Sequence, residues 1–378
     1  MSVFLRLGCT AFGGPAAHVA VMEAEVVTRR GWLTRAEFLD QLGVVQLLPG
    51  PNSTELAIHV GHVRAGWRGG LAAGFCFVLP SVALVWLLAA VTSGAALRAA
   101  VGAVMGWLAP VIVAVLTQAL WRFGRQAAER PRVLFVMPLT AAAAFVVPAD
   151  LAVLAIGAAA SVVLAGLNTK ALAPVCLLSL GTIGAGTLLA QSGHATAEAP
   201  GVVALLGYFL RAGVSVFGSG YVLVSVLQHD LVAGRGWLSL GELTQASAFA
   251  QITPGPLFTT ATAVGFAIGG HAGALAATVG IFAPAFLSVA ISAPVRALTQ
   301  RSRMTRAALD GVVLASVALL GRAVVAFAWP MQRWQWMMCL CAGAMLFGTR
   351  VSATLLLLAA ALAGILAVVF HLPPFLAT

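Results

Sequence analysis

Apolar positions along this chain do not alternate with polar ones. They gather into continuous runs, mostly 17 to 25 residues long and rich in Ala, Leu, Val and Gly. The first half carries runs at 4–21, 38–62, 69–93, 98–121, 132–148, 150–167 and 171–190. The second half carries runs at 201–226, 242–268, 270–295, 306–329, 334–348 and 351–371. A helix crosses a bilayer with about 20 apolar residues. An outer-membrane strand would instead alternate over about ten. The pattern predicts an all-α polytopic membrane protein with about 12–13 spans. Two first-half runs are broken: 4–21 by Gly13-Gly14-Pro15, and 38–62 by polar residues around Pro49-Gly50-Pro51.

The chain repeats itself. Phe4-Leu5-Arg6-Leu7-Gly8 returns as Phe209-Leu210-Arg211-Ala212-Gly213, and Ala11-Phe12-Gly13-Gly14 as Val216-Phe217-Gly218-Ser219. Arg30-Gly31-Trp32-Leu33 returns as Arg235-Gly236-Trp237-Leu238. Gln46-Leu47-Leu48-Pro49-Gly50-Pro51 returns as Gln251-Ile252-Thr253-Pro254-Gly255-Pro256, all at an offset of 205. Beyond Gly61 and Gly265 the offset is 204, ending at Pro80 and Pro284. Rare residue types matched in order mark a duplication. We expect a first repeat at 1–190, a polar linker at 191–200 and a second repeat at 201–378. Seven candidate spans separate the two starts, so the second copy should enter the membrane inverted. The N-terminal segment has a twin deep in the chain, so it reads as part of the fold rather than a signal peptide. Only Met1–Val3 precede Phe4 there, so its first helix should be a turn or two shorter than its twin.

Composition narrows the class. Apolar residues make up 61% and charged residues 8%, with 21 Lys+Arg against 11 Asp+Glu and a net charge of +10. A soluble domain carries about 25% charge, so a soluble enzyme, a disordered chain and a nucleic-acid binder are excluded. The positive balance fits an anionic leaflet and topology-setting loops. With the N-terminus inside, even loops hold thirteen Lys/Arg and odd loops five. Arg29, Arg30 and Arg35 are the exception, and a re-entrant hairpin made of the first two elements would explain them. The five Cys lie in apolar runs without metal or redox spacing, so no cofactor or metal is expected.

Pro-Gly-Pro inside an apolar run breaks a helix outright. Broken backbone at membrane depth survives only inside protein or beside a wet cavity. A new half-helix should therefore start at Asn52, with free N–H groups and a positive dipole end suited to an anion. Asn52, Ser53, Thr259 and Thr260 follow the two breaks as short donors; the alternative is a packing kink whose hydroxyls cap their own helices. Arg6 and Arg211 are intramembrane twins, either anion counter-charges or snorkelling side chains. Gly13, Gly14 and Gly218 follow them and could add N–H groups or allow close packing. Arg322 has no twin, and either serves function or makes a structural pair, for example with Asp310. Glu37 and Glu242 fit capping boxes. Glu25 and Asp230 are twins placed to pair with Arg30 and Arg235. Glu55 has Thr260 in its twin position and follows the first break by one turn, which makes it a proton-linked candidate; His18 is another. No H-E-x-x-H motif or nucleophile–base pair points to an enzyme.

Phe12-Gly13-Gly14-Pro15-Ala16-Ala17-His18, Arg30-Gly31-Trp32-Leu33, Gln46-Leu47-Leu48-Pro49-Gly50-Pro51 and Leu79-Pro80-Ser81 resemble the first half of the chromate ion transporter family. The second Pro-Gly-Pro block resembles its second half, in the long two-domain form, with Gly218-Ser219-Gly220 departing from the full Phe-Gly-Gly-Pro. The resemblance implies a bacterial or archaeal inner-membrane protein that exports chromate with the proton gradient and gives chromate resistance. The residues alone support a small anion, so a sulfate or other oxyanion carrier stays as the alternative. The expected binding set is Arg6, Gly13, Gly14, Pro49, Gly50, Pro51, Asn52, Ser53, Arg211, Gly218, Pro254, Gly255, Pro256, Thr259 and Thr260. Glu55, His18 and Glu25 are the proton-coupling candidates. Expected partners are the oxyanion, the bilayer and protons, with a homodimer allowed and no nucleic acid.

Overall fold

The computed structural model describes residues 2–11, 14–46, 48–128, 133–147, 150–165, 200–216, 220–349 and 351–370. The linker expected at 191–200 lies outside them but for its last residue. In the first half, α1 (Ser2–Thr10) and α2 (Gly14–Glu23, extended by a π-helical stretch Ala24–Arg29) flank the first break. α3 (Arg35–Val45) and α4 (Asn52–Val91) flank the second. α5 (Ala95–Ala128), α6 (Val133–Val146) and α7 (Asp150–Val163) follow. In the second half come α8 (Val202–Ser215), α9 (Gly220–Leu227, extended by Gln228–Gly234), α10 (Leu240–Ile252) and α11 (Thr260–Arg301). α12 (Arg303–Ala328), α13 (Arg333–Gly348) and α14 (Ala353–Val369) close the chain.

The breaks reverse the chain rather than bend it. Arg6 of α1 forms an ion pair with Glu25, and Phe4 packs on Trp32 with ring centroids 6.3 Å apart. Nineteen residues of straight helix would hold Arg6 and Glu25 about 28 Å apart, so α1 and α2 form an antiparallel hairpin. The second break does the same. His59 Nδ1 lies 3.3 Å from Gln41 Oε1, which places the start of α4 alongside α3 with Pro49-Gly50-Pro51 at the tip. α4 is itself two limbs. A straight helix of 40 residues would span about 60 Å, twice the hydrocarbon core. It turns at Ala65 and at Gly66, whose φ is +61°. A Cβ on Gly69 would sit 2.2 Å from the Gly61 carbonyl, so the limbs 52–64 and 67–91 press together. α11 repeats this turn at Gly269-Gly270.

The inversion is visible in side-chain contacts. The long limbs 67–91 and 271–301 are twins, and they pack antiparallel. Phe75 stacks on Phe286 at 4.9 Å, and Trp86 Nε1 donates to His271 Nδ1 at 3.0 Å. Twin helices that pack antiparallel are related by a two-fold axis lying in the membrane plane. Small residues let the elements approach: a Cβ on Gly311 of α12 would lie 2.0 Å from the Gly157 carbonyl of α7. Four stretches among the described residues are long and apolar enough to cross a membrane: Asn52–Val91, Val101–Arg125, Leu257–Ala290 and Arg303–Ala328. The elements around the breaks are half-spans arranged as hairpins.

The hairpins correct the loop assignment made from parity. The Trp32 ring has Arg30 at 5.4 Å and Arg64 at 5.7 Å, so the 29–35 loop and the 64–68 turn share one side. With the exceptional cluster moved across, Arg6, Arg29, Arg30, Arg35, Arg64 and Arg68 face one compartment; the antiparallel twins bring Arg303 and Arg306 to the same side. Arg235 and Arg333 face the other. The arginine-rich side is the cytoplasmic one. Arg322 is buried and donates to the Ala144 carbonyl at 3.0 Å, at the C-terminal end of α6. Asp310 lies about 18 Å away along the same helix, too far to be its partner.

Candidate functional site

The two Pro-Gly-Pro tips are held in a crossed exchange between the repeats. The Gly50 N–H donates to the Val216 carbonyl at 2.8 Å, and the Gly255 N–H donates to the Ala11 carbonyl at 3.0 Å. Each Pro-Gly-Pro tip is thus tied to the other repeat's first break. Gly50 has φ +130° and Gly255 φ +105°, which disfavour any side chain. A Cβ on Gly255 would lie 2.8 Å from Ser81 Cβ; one on Gly50 would lie 2.8 Å from Glu55 Oε1. Pro51, Pro254 and Pro256 are buried, and Pro49 is half-buried.

Each tip presents a helix start. Pro51 caps the first without a side-chain hydrogen bond. The N–H groups of Thr54 and Glu55 reach back to the Pro51 carbonyl at 2.7 and 3.0 Å, and Asn52 and Ser53 form the first turn ahead of them. In the second tip Thr259 N–H reaches the Pro256 carbonyl at 3.1 Å, and Leu257 and Phe258 stand where Asn52 and Ser53 do. The hydroxyls do not all serve as expected. Thr259 Oγ1 donates to the Pro256 carbonyl at 2.9 Å and Thr260 Oγ1 to the Leu257 carbonyl at 2.8 Å. Their protons are committed to their own turn, so backbone N–H groups are the donors an anion would meet there.

Glu55 is fully buried, and neither carboxyl oxygen has a hydrogen-bond partner. Thr54 Oγ1 is buried in the same state. His18 Nε2 contacts the Ala11 carbonyl at 3.0 Å, the oxygen that also accepts from Gly255, so its ring is anchored at the second tip. Its Nδ1 is buried without a partner. Leu223 stands in the twin position of His18.

The arginines are placed elsewhere. Arg6 joins Arg29 at 3.4 Å and Arg30 at 2.5 Å around Glu25. Arg211 Nη2 lies 3.5 Å from Asp230 Oδ2, beside the Tyr208 ring. Both arginines are committed to twin carboxylates between the hairpin limbs, so neither stands at a tip as a free counter-charge. Glu25 is accordingly the anchor of a cationic cluster. Asp230 pairs with Arg211 rather than Arg235, which stacks on Trp237 at 4.7 Å. Gly14 opens α2; Gly13 and Gly218 lie outside the described residues.

Three site residues escaped the sequence reading. Ser81 Oγ lies 3.1 Å from Thr259 Oγ1 and flanks Gly255; its only signal was its place after Pro80 in the long limb. Ser247 Oγ and Gln251 Oε1 of α10 are buried without partners; Gln251 was marked only as the twin of Gln46, and nothing marked Ser247. A cleft of about 220 Å³ opens at the outer ends of the second hairpin, lined by Thr92, Ser93, Gln245, Phe249 and Phe266.

The sequence profile of the chromate transporter family matches residues 1–185 and 203–365. A chromate transport protein of Pseudomonas aeruginosa is 31% identical over 336 residues, covering 86% of this chain and 79% of that protein. A probable chromate transport protein of Synechococcus elongatus is 31% identical over 328 residues, covering 85% and 82%. A chromate transport protein of Cupriavidus metallidurans is 29% identical over 336 residues, covering 86% and 81%. No solved structure matches.

Proposed function

We propose that this chain, which belongs to the chromate transporter family, is a secondary active transporter that exports chromate with the proton gradient and so gives chromate resistance. Membership makes it a multi-pass membrane transport protein. The crossed exchange of Gly50 with Val216 and of Gly255 with Ala11 carries the site reading. It ties each Pro-Gly-Pro tip to the opposite repeat, which supports one site shared by the two repeats.

A dianion at that depth carries a large desolvation cost. The helix start at Asn52, and the 3₁₀ turn Leu257–Thr259 that leads into α11, offset it with fixed N–H groups and aligned dipoles, aided by Asn52 and Ser53. The inverted hairpins can rock against each other about a fixed site, which exposes it to one side and then the other. Electrical work favours export: a dianion leaving a negative-inside cell gains roughly 5 kcal/mol per 100 mV. Protons moving inward through Glu55 would add to that drive.

Everted membrane vesicles test this reading. Energised vesicles should accumulate radiolabelled chromate, a protonophore should stop the uptake, and tenfold excess sulfate should leave most of it. Uptake abolished equally by sulfate would make this a general oxyanion carrier. Uptake unaffected by the protonophore would remove the proton drive.

A further inference from the structure

We propose that Glu55, His59 and His62 form a one-sided proton relay that joins the central site to the cytoplasmic face. This inference rests on the proton-coupled reading above and adds the route.

The three residues lie at i, i+4 and i+7 on the limb 52–64, so they share one face and successive members are neighbours. Glu55 stands at the tip and His59 one turn below. His62 lies beside the Ala65-Gly66 turn, its ring edge-on to Trp67 at 5.2 Å. The turn carries Arg64 and Arg68, and Arg64 lies 5.7 Å from the Trp32 ring of the 29–35 loop, so His62 sits at the arginine-rich rim. All three carry buried polar atoms without a partner: both Glu55 oxygens, His59 Nε2 and His62 Nδ1. Buried polar groups are normally satisfied, so a file of three such residues on one helix face calls for a use.

Packing does not explain the imidazoles. In the second repeat, Ala263 and Phe266 occupy the positions of His59 and His62. Phe266 keeps the same aromatic contact, with His271 at 5.1 Å in the place of Trp67. The twin limb therefore folds with no titratable group on this face. The fold tolerates the inverted arrangement without a relay, and only the first repeat has one.

The chemistry balances as simple proton transfer. Gln41 Oε1 accepts a hydrogen bond, so the His59 Nδ1–H donates to it and the Nε2 lone pair is open. Protonated Glu55 releases its proton toward Nε2, leaving a carboxylate and an imidazolium. Nε2 then passes the proton to His62 and returns to neutral, while the bond to Gln41 stays made. His62 releases it at the turn. Around this path α3 contributes Glu37 and Asp40 at its exposed end and Gln41 beside His59. The turn contributes Arg64 and Arg68, and α11 contributes the apolar Ala285, Phe286 and Val289 against Ile58.

Purified full-length protein in proteoliposomes with an internal pH dye separates the relay from the carrier. Net chromate movement should drive a proton flux in the parental protein. His59→Gln should lower that flux at least tenfold, and His62→Phe about threefold. Chromate–chromate exchange, which needs no net proton movement, should stay within twofold of parental in both. Parental proton flux in His59→Gln overturns the relay. Loss of exchange together with flux in both variants also overturns it, because that is the mark of a structural or binding role. A parental protein that moves chromate with no proton flux instead sinks the proton coupling on which the relay rests.

Discussion

At Gly255 a backbone conformation and a close approach coincide. Its φ of +105° and the 2.8 Å from a built Cβ to Ser81 leave no room for a side chain. Gly255→Val should lower chromate transport by more than a hundredfold while the protein still inserts, as uptake and membrane yield would show. Arg211 poses a different question. The sequence marked it as an intramembrane cation, but distance along a chain does not reveal a partner nineteen residues away. Because Arg211 is held by Asp230, Arg211→Leu should leave that carboxylate with the Tyr208 hydroxyl but no cation, and Arg211→Leu with Asp230→Asn should recover much of the lost transport. If Arg211 instead faces the anion, the double variant should be as inactive as the single. Glu55, the two Pro-Gly-Pro tips and His18 were legible because they are rare residue types inside apolar runs. Ser81 and Ser247 were not, since a lone serine in a helix is too common to signal, and Gln251 was marked only by its match to Gln46.

The elements were legible as elements, but not in their direction. Pro-Gly-Pro states that a helix ends; it does not state whether the next one continues or returns. The fold-back is decided by tertiary pairs such as Arg6 with Glu25 and Gln41 with His59. The capping boxes were readable and are formed: Thr34 Oγ1 accepts from the Glu37 N–H at 3.2 Å, and Ser239 Oγ accepts likewise from Glu242. Thr34→Ala should destabilise the start of α3 by about 1 kcal/mol. The Thr34 backbone N–H and then its hydroxyl hold the exposed Glu37 carboxyl below its ordinary range. A depressed folded value stabilises above the ordinary carboxylate range and is lost as pH falls through it. Hydrogen-exchange protection at the start of α3 should therefore drop below about pH 4, and Glu37→Gln should remove that pH dependence.

For the whole molecule, the duplication was readable from offsets of 205 and 204, and inversion from an odd number of intervening runs. The sides were not, because counting every run as a crossing put Arg29, Arg30 and Arg35 outside. The hairpins return the chain to its starting side and gather them with Arg64. Single cysteines at positions 35, 68 and 303 should react with an impermeant reagent from the cytoplasmic side. Cysteines at 233 and 333 should react from the other. Labelling of 35 and 68 from opposite sides would break the hairpin topology.

One anion should sit between the two glycine-bearing tips of the inverted repeats. Equilibrium binding of radiolabelled chromate to the purified protein tests it most directly. Gly50→Val and Gly255→Val should each weaken binding at least tenfold, while Arg6→Gln and Arg211→Gln stay within about threefold of the parental protein. Parental affinity in both glycine variants, with loss confined to the arginine variants, would contradict the account and move the site to the rims.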